Sequence, residues 1–137
     1  GKYMLKAIEM ELETGHYSFD ALQNALAVVG EIKGWYKEFG DMDEDSEKFR
    51  EIIWVLSEKA ITRAEILTPD VIEICNYQRD KLIKVERTYS ITQCDENIKV
   101  TLQKTALTFT DGESLVLMRP KNRSNAEQYD AFVKLMG

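Results

Sequence analysis

The chain has 137 residues, 44% of them apolar and 31% charged, with only seven Gly and two Pro, a composition that excludes disorder and collagen-like repeats. A domain of this length buries roughly 68% of the surface its unfolded chain exposes, enough for a core without metal or disulfide staples. The net charge of −6 disfavours general binding to nucleic-acid backbone, and no apolar run reaches the ~20 residues of a membrane-spanning helix.

The acidity is uneven. Residues 1–80 carry 9 basic and 17 acidic side chains, a net of −8, whereas residues 81–137 carry 9 and 7, a net of +2. The chain opens Gly1-Lys2-Tyr3 without Met, which reads as a tag scar or a processed end. The expected compartment is the cytoplasm, with secretion left open by that end.

Helical spacing dominates to about residue 80. A first helix is expected over Tyr3–Glu13, with Met4, Ile8 and Leu12 on one face and Thr14-Gly15 as its stop. A second is expected from Ser18 or Asp20 to Phe39, on the stripe Leu22, Leu26, Val29, Ile32, Tyr36 and Phe39. Gly30 and Gly34 then read as a close helix–helix contact.

A third helix is expected from Asp45 or Ser46 to Leu67. Phe49, Ile53, Leu56, Ala60, Ala64 and Leu67 form its main face, and Trp54 and Ile61 a second, rotated one. A helix apolar on two sides wants a second cover, so Trp54 and Ile61 are a candidate oligomer surface. Thr68-Pro69-Asp70 has the chemistry of an N-cap, N1 and first-turn acid, and predicts a fourth helix carrying Val71, Ile72, Cys75 and Arg79.

The period then changes to two. Ile83, Val85, Tyr89 and Ile91 predict a half-exposed strand, Asp95-Glu96-Asn97 a turn, and Ile98, Val100 and Leu102 a second strand. Leu107 and Phe109 fall in the opposite parity, which places a bulge near Lys104-Thr105. Asp111-Gly112 predicts a hairpin turn into Leu115 and Leu117, and Pro120 ends the sheet. Ser124 with Glu127 has capping-box spacing for a last helix through Tyr129, Phe132, Val133 and Met136.

The expected fold is therefore α+β: one domain over residues 1–137, with a bundle of about four helices (1–80), an antiparallel meander of three to four strands, and a C-terminal helix (81–137). A pleckstrin-type module also ends in strands followed by one helix. It needs about seven strands, so that likeness is not adopted.

Motifs for chemistry are sparse. Cys75 and Cys94, with one His and no CxxC, cannot supply the about four ligands of a structural zinc, and read as free thiols. His16 lacks a nucleophile elbow and reads as a loop residue. Asp41, Asp43 and Asp45 begin like a calcium loop, but Ser46 and Ile52 stand where Gly and Glu are needed. Neither GxGxxG nor a phosphate loop occurs, so no cofactor, metal or catalytic residue is expected. Glu58, Glu65 and Glu73 are the acids a small enzyme would draw on, without spacing that singles out a pair.

Two clusters stand out. Trp35, Tyr36 and Phe39 precede six acids, and Trp35, Glu38, Asp41, Asp43, Glu44, Asp45 and Glu47 form a candidate docking surface for a basic protein partner. Arg119, Lys121 and Arg123, where the sheet meets the last helix, are a candidate anion contact. The expected function is a small acidic interaction module, inhibitor- or immunity-like, without catalysis. An assembly subunit of a phage or secretion apparatus and a carboxylate enzyme are the competing classes.

Overall fold

A computed structural model describes residues 2–13 and 16–137. Two helices, α1 (Lys2–Glu11) and α2 (His16–Leu26), precede a four-stranded sheet of β1 (Gly34–Asp43), β2 (Lys48–Leu56), β3 (Ala60–Thr68) and β4 (Val71–Gln78). A 3₁₀ turn at Arg79–Lys81 leads into a three-stranded sheet of β5 (Leu82–Cys94), β6 (Asn97–Phe109) and β7 (Ser114–Met118), and α3 (Arg123–Met136) closes the chain. Both sheets are antiparallel, with strands paired in chain order.

The four-helix half is thus corrected to two helices and a sheet. The first helix forms as expected, while its Thr14-Gly15 stop lies outside the described residues, as does Gly1. His16 opens α2 instead of lying in a loop. The second helix ends at Leu26, and Gly30 takes a φ of 87°, a left-handed conformation that Gly adopts without strain. Gly34 starts β1, where a Cβ would meet Leu135 of α3 at 3.1 Å, so its close packing is against α3 and not a neighbouring helix pair.

The predicted third helix is the β2–β3 hairpin. Every residue from Glu51 to Leu56 is buried, because Ile53 and Val55 face α1 and α2 while Ile52, Trp54 and Leu56 face the second sheet. A strand covered on both sides is apolar at every position, and helical steps of three and four can always be picked out of such a run. The same geometry corrects the oligomer surface: Trp54 and Ile61 are 2% and 0% exposed, covered by this chain itself. The predicted fourth helix is a turn and β4. The Thr68 hydroxyl accepts the Asp70 N–H at 3.2 Å, so the capping chemistry serves a turn between strands.

The second half follows its alternating pattern. β5 and β6 turn at Asp95, whose φ is 56°, and their register passes from Thr88↔Lys104 to Tyr89↔Leu102, leaving Gln103 as an extra residue beside the expected bulge. Gly112, at φ 86°, makes the β6–β7 turn. The cap of α3 lies two residues earlier than expected: Asn122 Oδ1 accepts the N–H groups of Ser124 and Asn125 at 3.0 and 3.3 Å.

The first sheet separates two cores. On its outer face Ile8, Leu22 and Leu26 of the helices pack on Trp35, Ile53 and Val55. On its inner face Tyr36, Trp54 and Ile61 meet Leu107, Phe109 and Leu117 of the second sheet and Tyr129 and Phe132 of α3. Each such side chain contributes roughly 1.5–3 kcal/mol by leaving water. A buried ion pair, Lys37 Nζ to Glu51 Oε2 at 2.8 Å, fastens the end of α1 to the sheet. Lys37 also donates to the Glu11 carbonyl at 2.7 Å, and Glu51 accepts the Glu13 N–H. The last carbonyls of α1 lack partners within the helix, and a cation placed there satisfies both their hydrogen bonding and the helix dipole.

Candidate functional site

Strand parity divides the expected docking residues among three places. Trp35 points to the outer core and is 7% exposed, so it is not a surface anchor. Glu38, two residues on from the core Tyr36, shares the inner face and lies just beyond the end of that core. Asp41, Asp43, Glu44, Asp45 and Glu47 gather around the β1–β2 hairpin tip. There the Asp43 carboxylate accepts the Asp45 N–H and the Ser46 hydroxyl, both at 3.2 Å, and Glu47 takes a φ of 57°. The Asp-rich loop is a self-bonded tight turn, as Asp side chains commonly make.

The same hairpin exposes three large apolar side chains, Phe39 at 48%, Met42 at 53% and Phe49 at 57%. Sequence reasoning did not select Met42, and placed Phe49 on a buried helix face. The signal was available in their position. Phe39 and Phe49 flank an acid-rich stretch of turn-forming residues, and read as a hairpin the two strands hold both aromatics beside the acids.

A cleft of about 570 Å³ lies beside this tip, between β1, the end of β7 and the N-terminal end of α3. Phe39, Phe49, Met118 and Pro120 give it apolar walls, and Glu38, Arg119, Lys121, Asn122 and Asn125 its polar lining. Two of the three expected anion contacts thus share a cleft with an acid. The guanidinium of Arg119 is engaged: it donates to Asp130 at 2.6 Å and to the Leu102 carbonyl at 3.3 Å. Lys121 is exposed, and Arg123, also exposed, stands 3.7 Å from Glu127 outside the cleft lining. Of the three, Arg119 and Arg123 stand beside carboxylates, and Lys121 has no such pair among the described residues.

Glu38 accepts the Trp54 indole N–H on Oε1 at 2.8 Å. Burial holds its carboxyl above the usual carboxylate range and Glu65 adds to the rise, against the Trp54 hydrogen bond and the Arg63 charge. Asn125 is 4% exposed, and its Oδ1 has no hydrogen-bond partner among the described residues. Two acceptors are therefore held at the edge of the core with bonding capacity unspent.

The remaining candidates are dispersed. Glu58 lies in the β2–β3 turn, while Glu65 and Glu73 are direct cross-strand partners, Glu65 standing 3.6 Å from Arg63. Cys75 on β4 and Cys94 at the end of β5 are exposed free thiols. Among the described residues no cluster of three His, Cys, Asp or Glu is placed to hold a metal, and no helix is long and apolar enough to cross a membrane. Comparison with known proteins gives no match to a family model, a curated protein or a solved structure.

Proposed function

We propose that the chain is a protein-binding module that captures and regulates a basic partner through the β1–β2 hairpin. One observation carries this reading: Phe39, Met42 and Phe49 are about half exposed on a hairpin that also bears Asp41, Asp43, Glu44, Asp45 and Glu47. Large apolar side chains inside a charged rim supply the burial energy of an interface, and the rim supplies its orientation and rate of encounter. A partner with a basic patch complements the tip, and the net charge of −6 steers it from a distance.

The test compares capture of host proteins by the wild type and by a D43K/E44K/D45K variant at low and moderate salt. A basic partner retained by the wild type, released by salt and missed by the variant supports the reading. Capture that ignores both salt and charge reversal overturns it. Loss of folding in the variant would equally count against an exposed, purely docking role for these acids.

A second reading, an assembly subunit, draws on the β5–β6 ribbon. Tyr89, Ile91, Ile98 and Val100 are 51%, 72%, 65% and 57% exposed, and Ile91 stands directly opposite Val100. Cross-strand pairing puts these four on one face of a two-stranded ribbon, which in isolation is marginally stable in water. Sedimentation of the wild type and of I91K/V100K decides it: a charge-sensitive dimer or ring favours assembly, and a monomer in both opposes it.

A further inference from the structure

We propose that β4 receives an extended segment of a partner protein as a fifth, antiparallel strand of the first sheet, and that this segment carries a lysine or arginine opposite Glu73. The contact uses a different part of the sheet from the β1–β2 hairpin tip and does not depend on it.

The two sheets present four edge strands, β1, β4, β5 and β7, each a row of backbone groups open to pairing. Three are blunted by devices that natural edges commonly use. β1 is interrupted between Phe39 and Met42, and α3 packs along it. β5 has register shifts after Leu82 and after Thr88, and carries Lys84 and Arg87. β7 is five residues long and is followed closely by Pro120. β4 has none of these protections. Its eight residues hold no Pro, Lys or Arg, and their register with β3 is unbroken from Gln78 to Ile72. Ile72 and Ile74 pack toward the helices on the outer face, while Cys75, Asn76 and Gln78 are exposed.

The free backbone groups can be assigned. The Arg79 N–H donates to the Lys59 carbonyl at 2.8 Å, one step beyond the Gln78↔Ala60 pair. Along an antiparallel ladder, pairs that exchange both bonds alternate with pairs that exchange none. Glu73, Cys75 and Tyr77 therefore bond β3, and Ile72, Ile74, Asn76 and Gln78 turn N–H and C=O to the open side. Among the described residues no strand meets them there.

Charge selects the occupant. Glu73 is exposed and stands directly opposite Glu65, and like charges so placed oppose each other. Glu65 has Arg63 at 3.6 Å, whereas Glu73 has no ion pair among the described residues. In an antiparallel addition to this edge, Glu73 occupies a non-hydrogen-bonded pair, where facing side chains come closest. A cation at the facing position supplies the missing compensation. A second copy fits less well, because β4 offers no cation and pairing would bring together two halves of net charge −8.

The test is amide hydrogen exchange, read by NMR on the full ¹⁵N-labelled chain. The probes are an end-blocked nonapeptide of alternating Thr and Val with a central Lys, and the same peptide with a central Glu. The lysine peptide is expected to slow exchange at Ile72, Ile74, Asn76 and Gln78 at least tenfold. Cys75 and Tyr77, already bonded to β3, should keep their rates. The glutamate peptide should bind at least tenfold more weakly. Glu73→Lys relieves the opposition to Glu65, so this variant should fold and reverse the order of the two peptides.

Equal slowing at both parities, slowing at another edge instead, or a peptide order unchanged by Glu73→Lys would overturn the added strand. Failure of both peptides to slow exchange at millimolar concentration would do the same. Slowing of the four amides that grows with protein concentration alone would give the edge to a second copy and overturn the partner segment. The Asp43–Asp45 amides report the hairpin separately, so the docking reading survives the loss of this one.

Discussion

Lys37 and Glu51 meet at 2.8 Å on adjacent strands, 3% and 1% exposed, and between them satisfy the backbone at both Glu11 and Glu13. A buried charge left without its partner typically destabilises by about 3–5 kcal/mol. Lys37→Met and Glu51→Gln should each approach that loss in urea unfolding. The double variant K37M/E51L should recover part of it, because no lone charge remains. It should not recover the tie to α1, so amide exchange at Leu12 and Glu13 is expected to stay fast when global stability has partly returned.

Tyr36 is fully buried, stacked on Trp54 and edge-on to Tyr129 and Phe132, yet its hydroxyl has no hydrogen-bond partner among the described residues. Truncation to Ala should cost about 3–5 kcal/mol, as large aromatic deletions do. Tyr36→Phe should instead be neutral or stabilising, by up to about 1 kcal/mol, since it removes only an unsatisfied group. The phenol is also held well above its usual pKa, chiefly by burial and further by the Glu38 and Tyr129 charges. In alkaline titration followed by ultraviolet absorbance, the tyrosinate signal of Tyr36 should appear only with unfolding. A Tyr36→Phe variant less stable than wild type would show that the hydroxyl has a partner.

For Glu38 the sign of the pH effect follows from its raised pKa. Between the unfolded value and the higher folded one, the folded state binds more protons than the unfolded state, so stability falls as pH rises through that window. Gln keeps an acceptor for Trp54 and removes the ionisation. Glu38→Gln should therefore flatten the loss of stability above pH 4.5 and be the more stable protein at neutral pH. Matching stability–pH curves for the two proteins would contradict the burial of this carboxyl.

Asn122 and Ser124 test where α3 begins. Asn122→Ala removes the acceptor of two N–H groups and should cost ~1 kcal/mol. Ser124→Ala loses only a hydroxyl bond to Asn122, and Glu127→Ala an exposed pair with Arg123, so both should lie within about 0.5 kcal/mol of wild type. Thermal denaturation of the three variants separates the caps.

The half of the chain that was legible is the half with one wet face. β5–β7 and α3 alternate or repeat cleanly, and their turns carry Asp95 and Asp111-Gly112. The centre of the first sheet, β2 with the adjoining parts of β1 and β3, was illegible because it is dry on both faces. Ile52, Ile53, Trp54, Val55 and Leu56 show no period at all, and the stronger indication was the β-branching of Ile52, Ile53, Val55, Ile61, Thr62 and Ile66. Thr68-Pro69-Asp70 misled because turns and helix N-termini use the same side-chain bonds.

The site was readable in its charge and unreadable in its anchors. The acids were found because a local count reveals them. Phe39 and Phe49 become neighbours of one tip only once the segment between them is recognised as a hairpin. Asn125 and Glu38 share a cleft through a contact between β1 and α3, eighty-odd residues apart in the chain, and no spacing rule spans that distance.

The two-faced burial of β2 also bears on how the chain survives its own synthesis. Ile52-Ile53-Trp54-Val55-Leu56 is a short, uncharged, strongly β-forming segment without Pro or Gly, the composition from which intermolecular cross-β stacks are built. Translation runs from the N-terminus, so Ile8, Leu22 and Leu26 leave the ribosome before the strand they shield. The helix pair is thus in place to act as a resident chaperone for β2. Detaching α1 from the Lys37–Glu51 tie would bare one side of that segment and turn a folded chain into a seed for aggregation.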